Sequence, residues 1–204
     1  MTGHFAAFLG VAILVIVTPG PDTALTIRNT LLGGRRGGVL TGVGVAAGQA
    51  TWALATAAGV AALLRASQPA FEAVKLAGAA YLVFLGLQAL ASAARQRPQD
   101  VAARSRCRGA PLRQGLVSNL TNPKMAAFFP SLLPQFAGSD ASFAALLMLG
   151  LIFAAMTLTW LTGYAFAVAK AGDLLRRSRI RRTLEAVTGA TLIALGVRLA
   201  IEHD

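Results

Sequence analysis

The chain has little charge, few acidic residues and almost no cysteine, and each shortage excludes a class of protein. Only 13% of its 204 residues are charged, whereas a soluble domain carries about 25%. The single cysteine, Cys107, excludes an internal disulfide. Metal sites need clustered carboxylate, histidine or cysteine ligands, which are scarce here. These shortages leave no sizeable soluble domain and predict no metal or other cofactor.

Apolar residues are abundant instead: they make up 55% of the chain, and the mean hydropathy is +0.62. A membrane-spanning helix needs about 20 mainly apolar residues. The sequence therefore predicts an all-α membrane protein, with residues 1–204 forming a single transmembrane domain. Six apolar stretches are candidate spans, at about 5–32, 38–64, 70–92, 112–136, 141–168 and 183–201.

The net charge of +11 does not indicate nucleic-acid binding, because the basic residues cluster between the apolar stretches. They lie after the first span, at Arg35 and Arg36, in the loop 93–111, and again after the fifth span. Basic loops face the cytoplasm and attract anionic lipid. We therefore expect both termini to lie outside.

Two apolar stretches are interrupted by proline close to an ionisable residue. Helical rise from Phe5 to Val17 is about 20 Å, more than half of a hydrocarbon core of about 30 Å. The first break therefore falls near the middle of the membrane, and similar arithmetic places the second there too. Broken helices and intramembrane charges are typical of functional sites. The two motifs are Thr18-Pro19-Gly20-Pro21-Asp22-Thr23 and Asn119-Leu120-Thr121-Asn122-Pro123-Lys124.

The breaks also indicate an internal repeat. They fall in the first and fourth spans, and Trp52 and Trp160 take comparable places in the second and fifth. Three crossings are an odd number, so two such halves would be inverted relative to each other in the membrane. The prediction is repeat one at about 1–92, a basic cytoplasmic loop at 93–111, and repeat two at about 112–204.

Each break can support a binding site. Pro19 and Gly20 interrupt the first helix, and Asp22 with Thr23 can cap a helix restarting at about residue 23. Asn122 can cap the second restart. Both restarts direct positive helix ends into one zone, which favours an anion. With one acidic and one basic side chain nearby, the zone suits a zwitterion such as an amino acid.

Structural explanations remain open for these residues. Asp22 could serve only as a cap, and Lys124 could snorkel or form an ion pair. Asn119, Asn122 and Gln49 could contact substrate or hydrogen-bond between helices. The candidate residues for substrate binding or coupling are Pro19, Gly20, Pro21, Asp22, Thr23, Gln49, Asn119, Asn122, Pro123 and Lys124.

The two motifs resemble those of the LysE/RhtB family of bacterial amino-acid exporters. The resemblance extends to Gly34-Arg35-Arg36-Gly37, Lys75-Leu76-Ala77-Gly78-Ala79-Ala80-Tyr81-Leu82, Arg113-Gln114-Gly115 and Pro134-Gln135-Phe136. It implies six helices, a bacterial inner membrane, and export of amino acids or close derivatives driven by the proton-motive force. The substrate itself is not implied.

The leading hypothesis is thus a secondary active, proton-coupled exporter whose partners are an amino-acid substrate, protons and lipid. A cation or metal exporter on the same scaffold is the alternative. An intramembrane enzyme is disfavoured, because the chain has no Gly-x-Ser-x-Gly, His-Glu-x-x-His or paired intramembrane aspartates. Tracks of glycine could pack a monomer or a homodimer.

Overall fold

A computed structural model describes residues 2–66, 110–137 and 142–171, together with isolated positions between 69 and 91 and at 190, 193 and 197. The described backbone is helical apart from short breaks, and it contains no strand, so the all-α prediction is confirmed. The helices are α1 (Thr2–Val17), α2 (Pro21–Ala66), α3 (Pro111–Leu120), α4 (Pro123–Ala127) and α5 (Phe143–Ala171). A π-helical turn (Phe128–Leu132) and a 3-10 turn (Leu133–Phe136) follow α4.

Both predicted helix breaks are present. The first lies between α1, which ends at Val17, and α2, which begins at Pro21. The second lies between α3, which ends at Leu120, and α4, which begins at Pro123. Proline has no N–H for the helical ladder and is favoured at the first position of a helix, so each helix restarts at a proline.

A second interruption divides α2 into two arms, 21–33 and 35–66. Gly34 has φ 64° and ψ −164°, a backbone conformation open essentially to glycine alone. The arms correspond to the second half of the first predicted span and to the second predicted span. The third span is described only at separate positions, and the sixth span and the loop 93–111 fall almost entirely outside the described residues, so the inverted repeat stays a prediction.

The backbones of α2 and α3 touch directly because glycines face each other. A Cβ atom on Gly44 would overlap the carbonyl of Leu112, and one on Gly115 would overlap the carbonyl of Thr41. Four residues further along α2, Gly48 lies against the side chain of Asn119. Small residues permit this approach. The contact holds the second helix break against α2.

We expect Gly44→Ala to lower the free energy of unfolding by about 1–3 kcal/mol, since the added methyl group must push α3 away. Unfolding of the purified protein in detergent measures the loss. Gly59→Ala is the matched control, because Gly59 lies on the same helix and a Cβ there meets nothing within 4 Å. Equal stability of the two variants would contradict the close contact.

The distribution of side chains differs from that of a soluble protein, because the exterior is apolar and the interior includes polar groups as well as an apolar cluster. Large apolar side chains point outward from α2 and α5, among them Leu32, Leu54, Met148, Leu151 and Phe166. The buried set includes a carboxylate and several amides: Asp22, Asn29, Gln49, Asn119 and Asn122. Residues 21–59 and 143–170 are also long and apolar enough to cross a membrane. An apolar exterior around buried polar groups suits a lipid solvent.

Aromatic packing fixes the segment that follows the second break. Phe128 and Phe129, in the π-helical turn, are buried against Phe153 of α5, with ring centroids 4.8 and 5.6 Å from that of Phe153. Pro130 within the turn cannot donate a backbone hydrogen bond, which favours the irregular winding. This packing anchors the end of α4 and so positions Lys124 and Met125.

Candidate functional site

The carboxylate of Asp22, in the first turn of α2, binds three donors from the second break. Ser118 Oγ donates to Oδ1 at 2.7 Å, and Asn119 Nδ2 and Asn122 Nδ2 donate to Oδ2 at 2.9 and 3.0 Å. Asp22 is buried. A buried carboxylate needs such partners to remain charged, so this network ties the two broken helices together.

Lys124, in the first turn of α4, reaches back to the first break. Its Nζ donates to the carbonyl oxygens of Val15 and Thr18 at 3.0 and 3.1 Å. The last carbonyls of a helix have no partner within it and carry the negative end of its dipole. The ammonium group therefore satisfies the end of α1.

The two breaks are thus linked reciprocally. The first break supplies Asp22, directly after Pro21, and its backbone carbonyls bind Lys124. The second break supplies Lys124, directly after Pro123, and its side chains bind Asp22. Among the described residues, Asp22 and Lys124 form no ion pair with each other. The partners of Lys124 are backbone carbonyls, where the sequence left open snorkelling or an ion pair.

Asn122 connects the helix cap to the charge network. Its Oδ1 accepts from the backbone N–H of Lys124 at 3.0 Å, so the predicted cap is confirmed. Its Nδ2 donates to Asp22. Asp22 itself does not begin α2, which starts one residue before it, and its carboxylate is occupied by the other break. A purely capping role for Asp22 does not match this geometry.

A small cavity lies between the breaks. Its volume of about 20 Å³ is room for about one water molecule. An amino acid is far larger, so the breaks must separate before one can enter. The cavity is lined by both charged residues and by polar and apolar groups: Val15, Ile16, Gly20, Asp22, Thr23, Gln49, Asn122, Lys124, Met125, Phe153, Thr157 and Leu161.

Gln49, on the second arm of α2, faces this cavity while almost fully buried. Its side chain is 2% exposed, and Nε2 donates to the sulfur of Met125 at 3.8 Å. Its Oε1 has no hydrogen-bond partner among the described residues. A buried acceptor without a donor carries a free-energy cost of about 1–3 kcal/mol. Gln49 is therefore prepared to accept a hydrogen bond from something that enters.

A line of buried polar groups runs from Asp22 along the first arm of α2. Thr26 Oγ1 donates to the carbonyl of Asp22 at 2.8 Å, and Thr30 Oγ1 donates to that of Thr26 at 2.7 Å. Asn29 Nδ2 donates at 2.9 Å to both Thr41 Oγ1 and Gln114 Oε1. The line joins α2 and α3 between the break and the Gly34 interruption.

The ten predicted site residues share one locality. Asp22, Asn119, Asn122 and Lys124 belong to the hydrogen-bond network, and Gly20, Thr23 and Gln49 line the cavity. Pro19, Pro21 and Pro123 belong to the breaks.

Sequence reasoning missed some participants. Ser118 stands directly before the second motif, and its position gave a weak signal. The carbonyls of Val15 and Thr18 gave none, because every residue has a carbonyl.

Metal ligands are not gathered at this site. Within the described parts of the chain, no three histidine, cysteine, aspartate or glutamate residues are placed to hold an ion. The arrangement offers one carboxylate, one ammonium group and neutral amides. Such groups are suited to a small molecule that carries both charges.

A family model described as LysE type translocator matches residues 13–203. A homoserine/homoserine lactone efflux protein of Salmonella typhimurium is 29% identical, over 95% of this chain and 94% of its own. A leucine efflux protein of Klebsiella pneumoniae is 32% identical, over 68% of this chain and 65% of its own. An uncharacterised membrane protein of Pseudomonas aeruginosa is 32% identical, over 98% of this chain and 95% of its own. No solved structure matches.

Proposed function

Because the chain belongs to the LysE type translocator family of membrane proteins, we propose that it is a secondary active exporter. Its substrates are amino acids or close derivatives, moved out across the bacterial inner membrane in exchange for protons. Two relatives are named for efflux of homoserine or its lactone and of leucine, which supports a small amino acid as substrate. The basic loops face the cytoplasm and anionic lipid, and both termini lie outside.

One observation carries the proposal: the two helix breaks place charges of opposite sign around one cavity. The Asp22 carboxylate suits the substrate's α-ammonium group, and the Lys124 ammonium suits its α-carboxylate. Each charge has a protein partner in this closed conformation. A zwitterion can replace those partners with its own charges, so its binding lowers the free-energy cost of separating the breaks.

Protons couple to this cycle through Asp22. A protonated carboxyl group becomes a donor at one oxygen, yet three donors from the second break converge on the group. Protonation therefore weakens the link between the breaks. A proton and a substrate ammonium both neutralise Asp22, so binding of one displaces the other. That competition is the basis of proton-for-substrate exchange.

The proposal is tested by efflux from cells that express the protein and carry no other amino-acid exporter. Cells are loaded with labelled L-homoserine or L-leucine, diluted into substrate-free medium, and sampled over minutes. We expect faster loss of at least one label than from cells with empty vector, and suppression by a protonophore. Equal loss across a broad amino-acid panel would contradict amino-acid export. Efflux indifferent to the protonophore would contradict proton coupling alone.

A further inference from the structure

The cavity between the breaks contains a buried acceptor that the protein leaves unused. Gln49 Oε1 has no hydrogen-bond partner in the part of the chain that the structure describes, and the side chain lines the cavity. Asn119 Oδ1 is also buried without a partner, but Asn119 does not line the cavity. The nearby carbonyls of Val15 and Thr18 already accept from Lys124. Gln49 Oε1 is thus a buried acceptor that an entering donor group can meet.

The needs of a primary ammonium group exceed what Asp22 can supply. An ammonium group has three N–H donors, and a carboxylate accepts about four hydrogen bonds. Three acceptor positions of Asp22 are taken by Ser118, Asn119 and Asn122. About one remains in this conformation, so an ammonium group that displaces only part of these donors needs another acceptor within the same cavity. Gln49 Oε1 meets that requirement.

Charge favours a contact of Gln49 Oε1 with the substrate ammonium group over a contact with the substrate carboxylate. The substrate carboxylate belongs beside Lys124, and an amide oxygen would repel it. A neutral amide oxygen beside a carboxylate reinforces attraction for a cation without adding a second buried charge. Thr157, which also lines the cavity, donates its hydroxyl to the carbonyl of Phe153 at 3.0 Å.

We infer that Gln49 is a specificity-determining residue whose side-chain oxygen accepts a hydrogen bond from the primary ammonium group of the transported amino acid. It acts beside Asp22 and selects amines over analogues that lack the amine. This inference rests on the proposed function, since it assigns one contact in the same site.

The test uses everted membrane vesicles containing the full chain, with labelled L-homoserine or L-leucine as the transported probe. Competing inhibitors are unlabelled L-leucine and its 2-hydroxy analogue, in which a hydroxyl group replaces the amine. Gln49→Met retains the volume and removes the acceptor. We expect the inhibition constant of leucine to rise about 10- to 100-fold, the range for a lost hydrogen bond to a charged group. That of the hydroxy analogue should change less than about threefold.

Gln135→Met is the matched control, because it makes the same substitution at a glutamine that donates to the carbonyl of Ser131 and does not line the cavity. It should leave the ratio of the two inhibition constants at the wild-type value. Gln49→Asn is a second test if the methionine variant does not reach the membrane. It withdraws the oxygen by one methylene group and should also raise the inhibition constant of leucine relative to that of the hydroxy analogue.

An unchanged ratio in the Gln49 variants would overturn the inference, as would a parallel rise in both constants, which indicates a structural role. Selective loss of discrimination between homoserine and leucine, with the amine preference intact, would assign Gln49 to the substrate side chain instead and also overturn it. The proposed function fails separately, when wild-type vesicles transport neither probe.

Discussion

Asp22→Asn is expected to abolish export, lowering the initial efflux rate at least about 100-fold. The substitution preserves shape but removes the negative charge that we propose pairs with the substrate ammonium group and exchanges protons. A charged hydrogen bond of this kind contributes about 1.5–3 kcal/mol to binding, and the coupling to protons is lost in addition. Asn119 and Asn122 can still donate to the single remaining oxygen, so we expect the fold to persist.

The measurement is efflux of labelled homoserine or leucine, with the amount of protein in the membrane measured in parallel. Glu72→Gln is the control for loss of an acidic residue, because Glu72 is exposed; its efflux should equal that of the wild type.

Exchange of labelled for unlabelled substrate, without a proton gradient, separates the two roles of Asp22. We expect exchange to be lost with efflux, since the ammonium contact is lost. Intact exchange in Asp22→Asn would restrict Asp22 to carrying the proton. Efflux above half the wild-type rate would contradict both roles.

Lys124→Met is the second variant with a large expected effect, and it should reduce both transport and stability. It removes the partner of the carbonyls of Val15 and Thr18, two buried residues. Each unsatisfied carbonyl carries a free-energy cost of about 1–3 kcal/mol. The proposed contact with the substrate carboxylate is lost with the same side chain. We expect an efflux rate at least about 100-fold lower and a measurable fall in unfolding temperature in detergent.

Lys170→Met is the matched control for this variant, because Lys170 is exposed at the end of α5 and should change neither quantity. Wild-type efflux by Lys124→Met would contradict a role for the ammonium group in transport. Wild-type stability would contradict its link to α1.

An exchange of the two charges distinguishes the reciprocal link from a simple ion pair. The double variant Asp22→Lys, Lys124→Asp should be inactive. A carboxylate at position 124 would face carbonyl oxygens, and an ammonium group at position 22 would face hydroxyl and amide donors. Recovery of transport relative to the single variants would show that the two charges act as a direct pair.

The helix breaks were predictable because their causes are local. Proline cannot donate to a helical ladder wherever it stands, so Pro21 and Pro123 mark restarts in any tertiary context. The Asn122 cap was equally local, since its side chain reaches an N–H two residues ahead. Apolar composition then led to an all-α membrane protein without knowledge of a single contact.

The interruption at Gly34 was less predictable. The sequence shows a basic turn near Arg35 and Arg36, and the structure shows an almost continuous helix with one glycine in a left-handed conformation. Two glycines precede these arginines and two follow them, so composition alone could not select the one that bends. The selection depends on where the buried face of the first arm meets its neighbours.

The sequence by itself determined that two breaks, one acidic and one basic residue, and an apolar exterior exist, because proline chemistry and hydrophobicity belong to single residues. Only the tertiary structure decided the partners of those charges. The contact of Gly44 with α3 brings Ser118 and Asn119 to Asp22, and the end of α1 provides carbonyls to Lys124. Such partners depend on distances between helices far apart in the chain, and a backbone carbonyl is the same at every residue.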